Sequence, residues 1–375
     1  VIVLGAGLVG TSIAYALAQR GADVAVIERD EVGAGTSGRC DGNILVQTKG
    51  EELSARLTMA SIELYERWHE QLPVSFHFQR CGSLMVAETE RELEMLRRQV
   101  KWLRDMDVPV RLLEPGELTE REPALAKDLA GGSECMADAS VYPLEAVHAI
   151  AAGATECGAT IITGCAARRI LRNDRGEVRG VGTSAGVFAS PVVVNALGVW
   201  APALSDTVDV PLPIRPRRGT LVVTEAVTSV ITNKITEIGY VAQRYEDDGE
   251  PEREDVTLVA EPTPNGNLLL GSSREFSDFD VSVSSDMVRA IVRRAVRFIP
   301  RLERIKIIRS FSGLRPYTPG GKPIISRIEQ VPGYFVAAGH EGEGVGMAPI
   351  TGELTADLVC GREPRFSLSG MGVNR

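Results

Sequence analysis

Three glycines stand near the start of the chain at the spacing Gly5-x-Gly7-x-x-Gly10. They lie between the apolar run 1–4 and a segment whose Ile13, Ala14, Leu17 and Ala18 repeat at helical spacing. In that setting each glycine has a task. Gly5 permits a tight turn, Gly7 lets backbone approach a pyrophosphate, and Gly10 lets the helix pack close to its strand. Leu8 and Val9 complete the loop, and the N–H groups that open the helix face the phosphates. A second apolar run, 23–28, ends on Glu28, where an acid takes ribose hydroxyls, with Arg29 beside it. A bare glycine turn explains neither the helix nor the acid. The motif alone does not choose between FAD and NAD.

Other chemistry is sparse. Cys40, Cys81, Cys135, Cys157, Cys165 and Cys360 are scattered, with no Cys-x-x-Cys and no Cys/His cluster of zinc spacing, so no metal site is expected. Such cysteines read as reduced thiols and hence as a cytoplasmic protein. His69 and His148 fall within predicted helices, and only His340 sits in a motif. With 44% hydrophobic and 24% charged residues the chain has a soluble globular composition. A net charge of −9 argues against a nucleic-acid partner. No apolar run approaches the ~18 residues of a membrane span. The sequence opens on a strand with no initiator Met and no signal peptide, so a few leading residues are expected before Val1, and a signal is not formally excluded.

These residues need elements to hold them. Helices are predicted over 51–71, 89–105, 145–157, 285–299 and 350–360. Strands are predicted over 82–87, 159–163, 192–196, 221–224, 257–260, 268–271 and 334–338, with a hairpin of 170–172 and 178–181. Residues 246–255 read as a polar loop. Strands and helices alternate at both ends, while 215–280 is strand-rich. The pattern predicts an α/β unit interrupted by a second one.

Further motifs carry a resemblance. They are Gly35-Thr36-Ser37-Gly38 with Gly42 and Asn43; Val141-Tyr142-Pro143; Asn195-Ala196-Leu197-Gly198-Val199-Trp200; Pro216-Arg217-Arg218-Gly219; Gly313-Leu314-Arg315-Pro316-Tyr317; and the run from Gly339-His340-Glu341-Gly342-Glu343-Gly344-Val345 to Pro349. In this order the chain resembles the D-amino-acid oxidase/glycine oxidase (DAO) family of FAD-dependent oxidoreductases over nearly its whole length. The resemblance implies a glutathione-reductase-type, Rossmann-like FAD-binding domain (1–75, 136–214, 310–375). It is interleaved with a mixed, largely antiparallel α+β substrate domain (76–135, 215–309).

It also implies roles. Thr36, Ser37, Gly42, Asn43, Ala196, Gly198, Trp200, Gly313, Gly339, Glu341, Gly342, Gly344 and Val345 would line the FAD. The backbone near Ala167 would contact adenine, although the family usually has Val there. Arg315 would clamp a substrate carboxylate, and His340 would stand beside the ring or bond to backbone. The helix entering at Pro349 would stabilise charge on the reduced flavin. Family members that bind flavin covalently use a cysteine before the Pro-Tyr step or a histidine near the first loop. Here those stretches read Leu314-Arg315 and Arg39-Cys40-Asp41, so FAD is expected to be noncovalent, with Cys40 a packed inert thiol.

The implied activity is hydride transfer from the α-carbon of a small amino acid, imino acid or N-substituted amino acid. The stretch 40–50 and the acidic loop 339–344 look more like catalytic (β) subunits of heteromeric proline, hydroxyproline, opine or sarcosine dehydrogenases. The implied partner is an electron-transfer subunit that carries any further flavin or iron–sulfur cluster and any membrane association. The alternatives are a stand-alone oxidase that produces peroxide and a non-catalytic flavoprotein component.

Overall fold

The computed structural model describes residues 1–227, 230–241 and 255–373. The strand Ile2–Leu4 lies between Ala25–Ile27 and Val193–Asn195 in a parallel sheet, which continues to Thr160–Ile162 on one side and Tyr334–Ala338 on the other. Ile324–Arg327 closes the second edge antiparallel. The central strands are short apolar runs because both faces of the sheet are covered. The helices Leu8–Gln19, Pro143–Glu156 and Gly344–Val359 cover one face. Backbones approach closely there, since a β-carbon on Gly352 would stand 2.6 Å from the Ser12 carbonyl oxygen. The other face carries an antiparallel meander, Ala167–Arg172, Val178–Thr183 and Gly186–Ala189. Its third strand extends the expected hairpin.

A second sheet has eight strands in the order Ile307–Tyr317, Arg215–Thr224, Leu268–Phe276, Asp255–Pro262, Ile235–Glu237, Ser83–Ala87, Gly131–Cys135 and Val110–Leu113. It is antiparallel except between Ile235–Glu237 and Ser83–Ala87. The helix Ser285–Phe298 packs on it through Met287, Ile291, Ala295 and Phe298. Its N-terminus is fixed by Ser284, whose side chain accepts from the Met287 N–H at 3.0 Å. Of the polar stretch 246–255 only Asp255 falls within the described residues.

One helix differs from its expectation. Residues 350–360 were expected to be helical, with entry at Pro349, yet the helix runs Gly344–Val359 with Pro349 inside. A proline there leaves the carbonyl four residues earlier without its N–H partner. The Tyr65 hydroxyl donates to that Val345 oxygen at 2.9 Å, and the Ile350 N–H turns to the Ser61 hydroxyl at 3.1 Å. The long helix Glu52–Gln71 supplies both groups. The helix start thus lies in the glycine-rich loop itself.

Candidate cofactor and substrate site

The carboxyl ends of the parallel strands open on a cavity of about 370 Å³, whose far wall is one face of the eight-stranded sheet. This is where open α/β sheets bind ligands. At one end the Glu28 carboxylate accepts from the Ala6 N–H at 2.8 Å and the Asp30 N–H at 2.9 Å. Its position is set by backbone on both sides. The Arg29 guanidinium lies 4.0 Å over the Trp200 ring, and Ala167, Ala196 and Gly198 also line this end.

The glycine loop divides its work. Gly5, Gly7, Leu8 and Val9 face the cavity. Gly5 is left-handed, with φ +97°, and a β-carbon on it would lie 2.8 Å from the Ala196 oxygen. Gly10 lies behind the wall, where a β-carbon would sit 1.9 Å from the Gly5 oxygen. The Ser37 hydroxyl accepts from the Leu8 N–H at 2.9 Å, so it stands at the helix N-terminus with Gly7 beneath it. Thr36 donates to the Leu314 oxygen at 2.7 Å. A β-carbon on Gly313 would meet the Arg39 oxygen at 2.5 Å. These contacts fasten the second small-residue loop to the strand Ile307–Tyr317.

Gly42 and Gly339, like Gly10, do not line the cavity. A side chain on Gly42 would strike the Val141 oxygen at 1.8 Å, and one on Gly339 would strike Thr318 at 2.5 Å. Glu261 accepts from the Gly42 N–H at 3.0 Å, and Lys234 donates to the Gly42 carbonyl at 3.4 Å. The same carbonyl accepts from the Val141 N–H at 3.0 Å, so both backbone groups of that residue are engaged within the protein. Asn43 does line the cavity. Its side-chain amide is buried, and neither its oxygen nor its nitrogen has a hydrogen-bond partner among the described residues. A buried amide without partners costs about 1–3 kcal/mol, which ligand groups in the cavity would recover. This amide, the Glu28 carboxylate and the bare backbone at Gly7 fit a bound dinucleotide.

At the other end, Arg315 projects from the strand Ile307–Tyr317 and donates to the Ser273 oxygen at 2.8 Å. Its guanidinium lies over Gly219, where a β-carbon would be 2.3 Å from Nη1. Among the described residues no carboxylate pairs with it. Gly342, Gly344, Val345 and Glu341 complete this end. Glu341 is a left-handed non-glycine residue, φ +49°, and its carboxylate is 3.6 Å from the buried Arg217. Cys40 also faces the cavity, and burial together with Asp41 and Glu261 raises its thiol well above the usual range. It is held as a neutral thiol.

His340 touches the cavity, but its Nε2 lies 3.0 Å from the Thr351 hydroxyl within the following helix. Burial lowers its pKa from 6.5 to about 4, so the ring is neutral near pH 7. The folded state then binds fewer protons than the unfolded state between those values, and stability falls as pH drops through that window. At 1.36 kcal/mol per unit this amounts to on the order of 3 kcal/mol. The expected result is a melting temperature that falls between pH 6.5 and 4 in the native chain and falls less in His340→Gln. Identical pH profiles for the two chains would exclude this role.

Several contacts at and behind the site wall were not legible in the sequence. Arg217 lay in a quoted motif, but its pairing with Glu341 did not show. Tyr240 and the buried Arg274, whose guanidinium lies 4.3 Å from the Tyr240 ring, follow no motif. Lys49 and Glu343 lay in stretches already marked as unusual, and the structure brings them into contact. Among the described residues no three His, Cys, Asp or Glu side chains gather as metal ligands.

Comparison with known proteins agrees with this fold. The family model described as FAD dependent oxidoreductase (DAO) matches residues 1–358. Glycine oxidase of Geobacillus kaustophilus is 29% identical over 382 residues, covering 100% of this chain and 96% of that protein. Its crystal structure superposes with a TM-score of 0.90. Hydrogen cyanide synthase subunit HcnC of Pseudomonas aeruginosa is 27% identical, covering 96% of this chain and 92% of the relative. The structure of L-proline dehydrogenase from P. horikoshii has a TM-score of 0.89 at 28% identity, covering 100% of this chain and 96% of that one.

Proposed function

The chain belongs to the DAO family of FAD-dependent oxidoreductases, and from that premise we propose that it oxidises a small amino acid, imino acid or N-substituted amino acid at the carbon bearing nitrogen. FAD bound here would supply the hydride acceptor for that carbon, and the C=N bond closed by the nitrogen lone pair would be open to hydrolysis by water. Glu28 would take the ribose hydroxyls, and Gly7, Leu8 and Ser37 the pyrophosphate at the helix N-terminus. Asn43 and the Gly342–Val345 backbone would contact the ring. The observation that carries the substrate class is Arg315, a guanidinium facing the cavity with no carboxylate paired to it among the described residues. It would grip a substrate carboxylate through two parallel hydrogen bonds. His340, neutral and tied to Thr351, would shape the pocket rather than carry a proton.

We infer noncovalent FAD. The loop 39–41 offers no histidine, the stretch before Pro316 offers no cysteine, and the Cys40 thiol is held protonated. We also read the chain as the catalytic subunit of a heteromeric dehydrogenase. In support, the Pseudomonas aeruginosa relative is by name a subunit. The second reading is a stand-alone oxidase, favoured by the glycine oxidase relative that spans the whole chain. The division proposed is 1–75, 136–214 and 310–375 for FAD, and 76–135 and 215–309 for substrate. Six free cysteines support a reducing, cytoplasmic setting. Among the described residues no helix is long and apolar enough to cross a membrane.

One experiment tests this reading. The purified yellow protein is mixed anaerobically with amino acids, N-methyl amino acids, imino acids and opines. The flavin colour is expected to bleach with at least one carboxylate-bearing amine. Bleaching with none of them removes the proposed activity. Acid precipitation should leave the colour in the supernatant, and colour in the pellet would mean covalent attachment. Rapid peroxide formation by the isolated chain would favour the oxidase.

A further inference from the structure

Lys49 and Glu343 come from the two stretches that set this chain apart in sequence, residues 40–50 and the acidic loop before the last helix. The structure joins them. The Lys49 ammonium bonds the Glu343 carboxylate, with side-chain exposures of 2% and 8%. The Thr48 hydroxyl lies 3.5 Å from the ammonium. Both residues line the cavity, on the wall shared with Asn43, Leu45 and Val345.

The pair is held from behind. Asp138 accepts from the Val46 N–H at 2.5 Å and the Gln47 N–H at 3.3 Å, and from the Ser83 hydroxyl at 2.6 Å. Gln99 donates to the Gln47 and Lys49 oxygens at 3.0 and 2.7 Å. On the other side the Glu343 N–H donates to the His340 oxygen at 2.8 Å, and Glu343 leads directly into the helix Gly344–Val359. Two rigid segments far apart in the chain thus fix one cation and one anion in the wall.

A buried ion pair is a weak source of stability. Its desolvation cost rivals its attraction, and apolar replacements are often neutral or better. Its place in a cavity wall gives it an electrostatic use. Hydride transfer would place one unit of negative charge on the flavin and leave the positive charge on the substrate's C=N group, and in a site screened from water a charge near the flavin acts strongly on that change.

We propose that Lys49 and Glu343 are a positioning pair that sets how readily the bound flavin accepts a hydride, with the ammonium favouring the reduced state and the carboxylate opposing it. This rests on the reading of the cavity as the FAD site. The charge balance is simple. The substrate carbon gives up its hydrogen with both bonding electrons, and neither Lys49 nor Glu343 gains or loses a proton.

The test is the two-electron potential of FAD-loaded protein, measured anaerobically against dyes of known potential. Lys49→Met removes the cation and should lower the potential. Glu343→Gln removes the anion and should raise it. Each shift should correspond to at least a tenfold change in the reduced-to-oxidised ratio, about 30 mV for a two-electron couple. Lys49→Arg keeps the charge and should stay near the native value. A merely structural pair would not give shifts of opposite sign. Unchanged potentials, or shifts in the same direction, overturn the proposal. If Lys49→Met loses its flavin, Glu343→Gln decides alone, because it keeps both shape and hydrogen bond. A Glu343→Gln chain that also loses FAD makes the pair structural and overturns the proposal too. A native chain that never holds FAD would instead overturn the reading of the cavity.

Discussion

Arg315→Ala is expected to lower kcat/KM toward carboxylate-bearing amines by about 10²–10⁴-fold while leaving FAD content and folding nearly unchanged. The side chain lies over Gly219 and gives up one bond to the Ser273 oxygen, so its loss removes little of the scaffold. On the proposed reading, what it would remove is the partner of the substrate carboxylate. Breaking such a buried pair costs roughly 3–5 kcal/mol, and each 1.36 kcal/mol is tenfold in rate. Arg315→Lys keeps the charge without the two-point fork and should be impaired less. Steady-state kinetics with the best amino-acid substrate, alongside flavin content, is the measurement. Near-normal efficiency would rule out the clamp. A colourless variant would place Arg315 in the cofactor site.

Gly10→Ala should give a chain that purifies without colour. The added carbon would stand 1.9 Å from the Gly5 oxygen, and that oxygen belongs to the turn leaving the first strand. No side chain can rotate out of the way, so strand and helix must part. Overpacking of this kind costs roughly 1–3 kcal/mol, about ten- to a hundredfold in FAD affinity if the distortion falls on the loop. The loss of the bound cofactor then lowers the melting temperature further. Gly7→Ala tests a different contact, because within the protein its carbon would meet only the Ser37 hydroxyl, at 3.0 Å, so a loss of affinity there would report obstruction of the proposed pyrophosphate rather than distortion of the turn. Equilibrium titration of the apoprotein with FAD measures both. A Gly10→Ala chain with native affinity would mean that the loop does not hold the cofactor.

Much of this architecture was legible because its causes are local. The strand, glycine turn and helix of residues 1–20, the acid at Glu28 and the apolar periodicity of Glu52–Gln71 are each written within a few turns of chain. The helix Gly344–Val359 was not legible in full. Its first turns hold three glycines and a proline, and they stay helical only because Tyr65 and Ser61, far off in sequence, take the groups that Pro349 displaces. Gly42 misled for a similar reason. Its want of a side chain answers the crossing of Val141, and the sequence does not say which backbone a glycine lies against. The Lys49–Glu343 contact spans nearly the whole chain, and no periodicity encodes a pairing at that distance.

The strand Ile2–Leu4 takes its neighbours from Ala25–Ile27 and Val193–Asn195, and the latter waits for Tyr334–Ala338. Along the chain, the sheet that residues 2–4 enter is therefore completed only by residues 324–338, more than three hundred positions later. Contacts of such high order close slowly in folding. A cavity walled by both the glycine turn and residues 337–345 is complete only once those distant segments have docked on one another, so the motif by itself forms only part of it.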